Sequence, residues 1–303
     1  MATRSAGAAV RFIDPIALQR IRSLELVAKT VVDGFITGLH RSPYLGFSTD
    51  FAEHRPYMPG DDIRRIDWRL YARSDRYYLK LFEAETNANF AVLLDVSGSM
   101  GFGSKGISKI DYGKLLAASL TYFSSRQRDR VGLITFRDAI VDYVPTSAKH
   151  LDTVLHTIER ATCSGSGELR TPLGRAANLF KRSGITVLIS DFYEDPDEVI
   201  AAVNQLRFSG QDVIVFHILD PAEIEFSYDA PTSFEDLESG EKLPIVPEKH
   251  RLKYHGLIED HVTALKDRFA RNRIDYVLVN TAEPLDRVLF DYLLARHRGL
   301  QVR

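Results

Sequence analysis

Several features that would announce a protein's chemistry are scarce in this chain. Cysteine occurs once, at Cys163. A single thiol excludes an internal disulfide and any zinc site built from several thiolates. No apolar stretch approaches the roughly 18 residues of a membrane-spanning helix. The first residues lack the charged, apolar and small-residue layout of a signal peptide. These absences give the expectation of a protein of the reducing cytoplasm with no membrane segment. An excess of one charge is missing too: 39 Lys and Arg face 41 Asp and Glu, for a net charge of −2. That balance offers no bulk attraction to nucleic acid or to an anionic membrane surface. The nine histidines contain no H-x-x-x-H pair, and there is no internal repeat or low-complexity tract.

What is present is apolar sequence. Hydrophobic residues make up 45% of the 303, enough for one large α/β domain or about two. Residues 1–11 are small and polar and are expected to be disordered. Asp14-Pro15 reads as a helix N-cap followed by proline at the first helical position. Leu18, Ile21, Leu24, Ala28 and Val31 follow at helical spacing, with an end expected near Gly34 or Gly38. Residues 40–76 are rich in charge, Pro and Gly and read as loop with short strands, and 77–84 as a strand. From Phe90 a βα alternation begins. Strands are predicted at 90–95, 131–136, 139–144, 185–190, 212–219 and 274–280, and helices at 111–126, 148–161, from Thr171 to about Arg182, to about Phe208 from Asp195-Pro196, at 249–272 and at 284–298.

Buried apolar strands alternating with helices imply α/β architecture: a mainly parallel sheet with helices on both faces. The Arg137-Asp138 link is too short for a crossover, so 139–144 should be an antiparallel edge strand. The acidic, Pro-rich stretch 221–247 carries a hairpin tip at 238–243 and offers no chemistry of its own. The expected division is 1–89, a helix and β-rich extension packed on the main domain, and 90–303, the main domain.

The chemistry concentrates where apolar strands end on carboxylates. FAVLLD stops at Asp95 and ITVLIS is followed by Asp191. In open α/β sheets ligands lie beyond the carboxyl ends of the strands. If these two strands are neighbours, both carboxylates share one crevice. Ser97 and Ser99 stand at alternate positions after Asp95, and Thr171 opens a helix after the loop CSGSGELR. Two carboxylates and three hydroxyls are hard oxygen ligands suited to Mg²⁺ or Mn²⁺, with a coordination position left for water or an outside acid. Taken singly, each has a plainer role: Asp and Ser-Gly-Ser as turn residues, and Thr before Pro as a helix cap.

D-V-S-G-S at 95–99, with Thr171 and Asp191, resembles the metal-ion-dependent adhesion site of von Willebrand factor A domains. EHRPYMPGDDIRRIDWRLYAR at 53–73 and YYLKLFEAE at 77–85 are similar to the bacterial and archaeal "domain of unknown function 58" family. The resemblance spans roughly residues 35–300. It implies a von Willebrand factor A-like fold, metal-dependent protein–protein binding, and a MoxR-type AAA+ ATPase and a client protein as partners. One departure is local: Leu169-Arg170 precede Thr171 where such domains often have Gly-Gly, which leaves Ser164 and Ser166 as substitute ligands. Met100, Phe102 and Phe192 are expected either to rim the crevice or to pack in the core.

Other signals fall away. Ser97 occupies the position where a haloacid-dehalogenase phosphatase needs a second Asp. S-G-S-M-G at 97–101 misses the first Gly of a hydrolase elbow, and no Gly-Lys-Ser/Thr follows Asp95. Gly60-Asp61-Asp62 reads as a turn, and the arginines of 64–76 are matched by nearby acids. His217, inside an apolar strand, reads as a core residue. The run from Asp191 to Glu198 suits either attraction of a cation or the N-terminus of a helix. No nucleophile–base pair is visible, so no catalysis is expected. The alternative is a metal-dependent hydrolase using Asp95, Asp191 and Ser99.

Overall fold

A computed structural model describes residues 15–19, 23–41, 54–57, 68–74, 76–80, 88–226, 228, 232–235, 237, 242–245, 247–290 and 292. The helices and strands in chain order are α1 (Pro15–Gln19), α2 (Leu24–Arg41), β1 (His54–Pro56), α3 (Trp68–Ser74), β2 (Tyr78–Lys80), β3 (Asn89–Asp95), α4 (Lys109–Arg126), β4 (Arg130–Phe136), β5 (Ile140–Ser147), α5 (Leu151–Arg160), α6 (Arg170–Leu179), β6 (Gly184–Ser190), α7 (Pro196–Phe208), β7 (Gln211–Leu219), α8 (Pro221–Glu225), β8 (Thr232–Glu235), β9 (Lys242–Ile245), α9 (Pro247–Arg271) and β10 (Asp275–Asn280). Residues 285–290 are also helical.

Six strands form the central sheet in the order β10-β7-β6-β3-β4-β5. Every neighbouring pair is parallel except β4–β5. This is the mainly parallel α/β sheet expected from the sequence, with β5 as the antiparallel edge. Strand periodicity divides the core in two. Val92 and Leu94 of β3 point to one face, where Tyr112, Leu116 and Leu120 of α4 and Val154 and Ile158 of α5 cover them. Ala91 and Leu93 point to the other, under Leu173 of α6, Val199 and Val203 of α7, and Leu265 and Phe269 of α9. Helices therefore clothe both faces.

The N-terminal part differs from expectation in two places. The single helix from Pro15 is two: Ser23 starts a second one, its hydroxyl accepting the Leu26 N–H at 3.2 Å, as a capping serine does. This helix, α2, runs through Gly34 and Gly38. A glycine in a helix costs only about 1 kcal/mol relative to Ala, and burial of Val27, Ala28, Val31 and Val32 holds α2 in place. Residues 68–74, expected as loop, form α3. Two helical turns are too short to show a periodic pattern. Here ring contacts fix them: Tyr71 stacks on Tyr77 with centroids 4.5 Å apart, and Trp68 meets Tyr71 edge-on at 6.1 Å. Strands β1 and β2 pair antiparallel beside them. Within 1–89 the described elements are α1, α2, α3 and the pair β1–β2, and the rest of the expected β-rich extension lies outside the described residues.

The insert after β7 holds more than the expected hairpin. Strands β8 and β9 pair antiparallel, and the short helix α8 precedes them. The expectations for residues 1–11, for Gly60-Asp61-Asp62, for the arginines at 64 and 65, and for the closing helix beyond residue 292 lie outside the described residues.

Candidate metal site and pocket

Strands β3 and β6 are adjacent, so Asp95 and Asp191 emerge side by side at the carboxyl edge of the sheet. Both are buried, at 4% exposure each. Asp95 Oδ1 accepts the Ser97 N–H at 2.8 Å, and Oδ2 accepts the Ser190 hydroxyl at 2.6 Å. Burial first, and the charge of Asp191 second, push the Asp95 carboxyl up to about 7, against the pull of those hydrogen bonds. Ser97 Oγ and Ser99 Oγ lie 3.1 Å apart, so both hydroxyls gather on one side of the loop.

The loop geometry explains the small residues. The Gly98 N–H donates to the Gly165 carbonyl at 2.8 Å, and the Ser164 N–H to the Val96 carbonyl at 3.1 Å. A Cβ on Gly98 would stand 2.7 Å from the Leu237 carbonyl oxygen and 2.9 Å from that of Gly165, so three loops meet where only glycine fits. Gly165 itself has φ +71°, a conformation that costs glycine little. Phe192, next to Asp191, adopts φ +47°, uncommon for a bulky residue. Its carbonyl accepts a hydrogen bond from His261 Nε2 at 2.8 Å.

Thr171 is held by a neighbour that itself lines the pocket described below. It is exposed, and its hydroxyl donates to Glu168 Oε1 at 3.0 Å. Ser164, a substitute ligand from the sequence, accepts a hydrogen bond from Arg137 at 2.6 Å, and Ser166 is exposed. The acidic run is largely spent on helix ends. Asp195 caps α7 at the Asp197 N–H, Asp197 pairs with Arg268 at 2.6 Å, and Glu194 accepts the Leu169 N–H at 2.7 Å. Met100 packs in the core at 0% exposure, Phe192 packs in the core at 1% and also lines the pocket described below, and Phe102 lines that pocket.

Two participants were not read from the sequence. Lys109, the first residue of α4, is fully buried. Its Nζ lies 2.8 Å from Asp191 Oδ2 and 2.6 Å from Glu223 Oε1. Burial alone would lower the ammonium's pKa; the two carboxylates outweigh it and hold it above its ordinary value. Glu223 belongs to α8, in the insert expected to carry no chemistry. There Asp220 accepts from the Ser104 N–H at 2.9 Å, from the Ser104 hydroxyl, and from the Ala222 N–H at 2.8 Å. The only local signal for Lys109 was a lysine placed between Ile107 and Ile110.

A cavity of about 820 Å³ opens over Asp95, Ser97, Ser99 and Asp191 and continues along an apolar wall that includes Phe226, Leu237, Tyr254 and Leu257. Phe226 stacks on Tyr254 with centroids 4.5 Å apart. Among the described residues no group of three or more His, Cys, Asp or Glu gathers as a metal cage. The donor set is two carboxylates and two hydroxyls, hard oxygens that suit a weakly held Mg²⁺ or Mn²⁺. The like charges of Asp95 and Asp191 press on each other in a buried place, and a divalent cation between them would relieve that pressure.

The family model described as "Protein of unknown function DUF58" matches residues 53–264. The chain belongs to this family. The DUF58 chain is 29% identical over 237 residues to the uncharacterized protein Rv1480 of Mycobacterium tuberculosis, covering 75% of this chain and 73% of that protein. The uncharacterized protein Mb1516 of Mycobacterium bovis matches to the same extent, at 29% identity over 237 residues. Among solved structures it is similar to an aerotolerance-related membrane protein from Bacteroides fragilis, with TM-score 0.45 and 14% identity over 69% of this chain and 99% of the other. It is also similar to the SpRpn10 VWA domain, with TM-score 0.40 and 11% identity over 66% and 92%. Among the described residues of this DUF58 protein, no helix is long and apolar enough to cross a membrane.

Proposed function

We propose that this DUF58 protein binds a partner protein through a divalent cation held by Asp95, Ser97, Ser99 and Asp191. The observation that carries this reading is two buried carboxylates set side by side, with two hydroxyls, at the floor of a large open pocket. The bound cation would supply a coordination position for a carboxylate from outside. The chain's own residues do the rest. Ser190 and the Ser97 N–H orient Asp95. The apolar wall along Phe226, Leu237, Tyr254 and Leu257 removes water from the partner's neighbouring side chains. Tyr193, Leu237 and Leu257 are 46%, 51% and 59% exposed around the pocket, as apolar residues at contact surfaces are. Thr171 enters this reading only through a turn of its side chain away from Glu168.

The sequence resemblance directs the choice of partner to a MoxR-type AAA+ ATPase, with a client protein behind it, in a cytoplasmic setting. Binding is favoured over hydrolysis with Asp95, Asp191 and Ser99, because the Ser99 hydroxyl shares its hydrogen bond with Ser97 and not with a base. Burial also pushes the Cys163 thiol up to about 12, which leaves it protonated and unreactive. The test is a titration of a MoxR-type ATPase from the same organism against the full chain in Mg²⁺, in EDTA, and with Ser99→Ala. Binding that needs Mg²⁺ and weakens in the variant supports the reading. Equal affinity in all three means that the partner surface lies elsewhere.

A further inference from the structure

We propose that Lys109 is a resident counter-cation that sets how tightly this site holds a divalent metal, an inference that rests on the metal reading above. A fully buried lysine is costly and rare unless paired. Here its position is built. Ser108 caps α4 by accepting the Asp111 N–H at 3.2 Å, and Lys109, next in the chain, turns inward. Its ammonium touches Asp191 at 2.8 Å and Glu223 at 2.6 Å, and lies 4.8 Å from the Tyr193 ring centroid.

Two consequences follow from charge and contact. Lys109 offsets one of the negative charges of Asp191 and Glu223, and Asp95 beside Asp191 adds another when ionised, so a cation is still attracted to the place where Asp95 and Asp191 meet. Yet Lys109 already holds Asp191 Oδ2, so Asp191 offers a metal its other oxygen, and a metal there binds against the repulsion of the ammonium. Glu223 draws the ammonium partly away from Asp191. Because Glu223 sits on α8, three residues before Phe226, the same lysine joins the metal site to the apolar wall of the pocket. Loading and pocket shape are thereby linked through one side chain.

The test is isothermal titration calorimetry of the full chain with MgCl₂ and with MnCl₂, for wild type, Lys109→Met, Lys109→Arg, and Lys109→Met combined with Glu223→Gln. Far-UV circular dichroism and thermal melts establish that each variant is folded. The double variant serves where Lys109→Met alone, with two stranded carboxylates, fails to fold. It restores the wild-type net charge while removing the contact with Asp191. Lys109→Met is expected to bind metal about tenfold more tightly or better, the double variant to gain less because the attraction of Glu223 goes with the repulsion of the ammonium, and Lys109→Arg, which keeps the charge, to stay near wild type. Wild-type binding with no gain in the folded Met variants overturns the proposal and leaves the metal reading standing. No binding by wild type or by any folded variant overturns both.

Discussion

The Ser190 hydroxyl donates to Asp95 Oδ2 at 2.6 Å, tying the end of β6 to the end of β3. With the Ser97 N–H on Oδ1, both Asp95 oxygens already have donors within the protein. The carboxyl is held rigidly in a buried place beside a second carboxylate and is pushed up to about 7. Such an arrangement is kept at the expense of stability, a pattern associated with functional positions.

Replacing Asp95 with Asn therefore should not destabilise the metal-free protein at pH 8, and should stabilise it. The sign follows from linkage. The folded-state pKa of about 7 lies above the ordinary 3.8, so the folded state binds the extra proton and stability falls as pH rises from about 4 through 7. Asn removes that slope. Urea unfolding at pH 5 and pH 8 measures it. The same variant should lose the metal response, which for wild type at about 100 times Kd is worth roughly 2.7 kcal/mol.

Asp191→Ala should behave differently. It strips Lys109 of one of its two carboxylates inside the protein, and breaking a buried ion pair costs about 3–5 kcal/mol. Ser99→Ala removes one hydroxyl whose hydrogen bond is to Ser97, at a cost of about 1 kcal/mol. Denaturant unfolding of the two variants should show this gap. Ser99→Ala is thus the cleaner probe of binding, because its fold survives.

Gly98→Ala tests the junction of three loops. The added carbon would press on the carbonyl oxygens of Leu237 and Gly165, 2.7 and 2.9 Å away. Both are backbone atoms, and overpacking of this kind costs about 1–3 kcal/mol. The expected outcome is a lower melting temperature together with a smaller shift on adding MnCl₂. A variant that melts and binds as wild type would show that the loops yield freely.

His217 gives an independent pH effect. It is fully buried, hydrogen-bonds Tyr276 at 2.7 Å through Nδ1, and is pushed down to about 3 by burial first and by His261 second. Its folded pKa lies below the ordinary 6.5, so the unfolded chain takes up a proton that the folded protein refuses. Stability should fall as pH drops from about 6.5 toward 3, by up to roughly 1.4 kcal/mol per pH unit from this group. The difference between wild type and His217→Gln, followed by thermal unfolding from pH 7.5 to pH 5, isolates that contribution.

Much of the fold was legible because local patterns report burial. β3 and β6 are short apolar runs, and the three-residue link between β4 and β5 forced an antiparallel edge. Asp95 and Asp191 were readable as a pair because each follows such a run. α3 was not readable, since seven residues hold too little period and its Tyr71 ring finds its partner at Tyr77, beyond the helix. Thr171 looked like a ligand on its loop context, but Glu168, three residues earlier, captures its hydroxyl as the first turn of α6 forms.

By itself the sequence determined which strands are buried, where they stop, and that hard oxygen donors follow the stops. Only the tertiary structure decided which charges meet. Asp191 and Glu223 lie 82 and 114 residues from Lys109. No spacing along the chain marks that contact. It exists because β3, β6 and β7 stand side by side in the sheet, which brings the end of β6, the start of α4 and the helix after β7 to one edge. There a lysine too costly to bury alone is stabilised by two carboxylates.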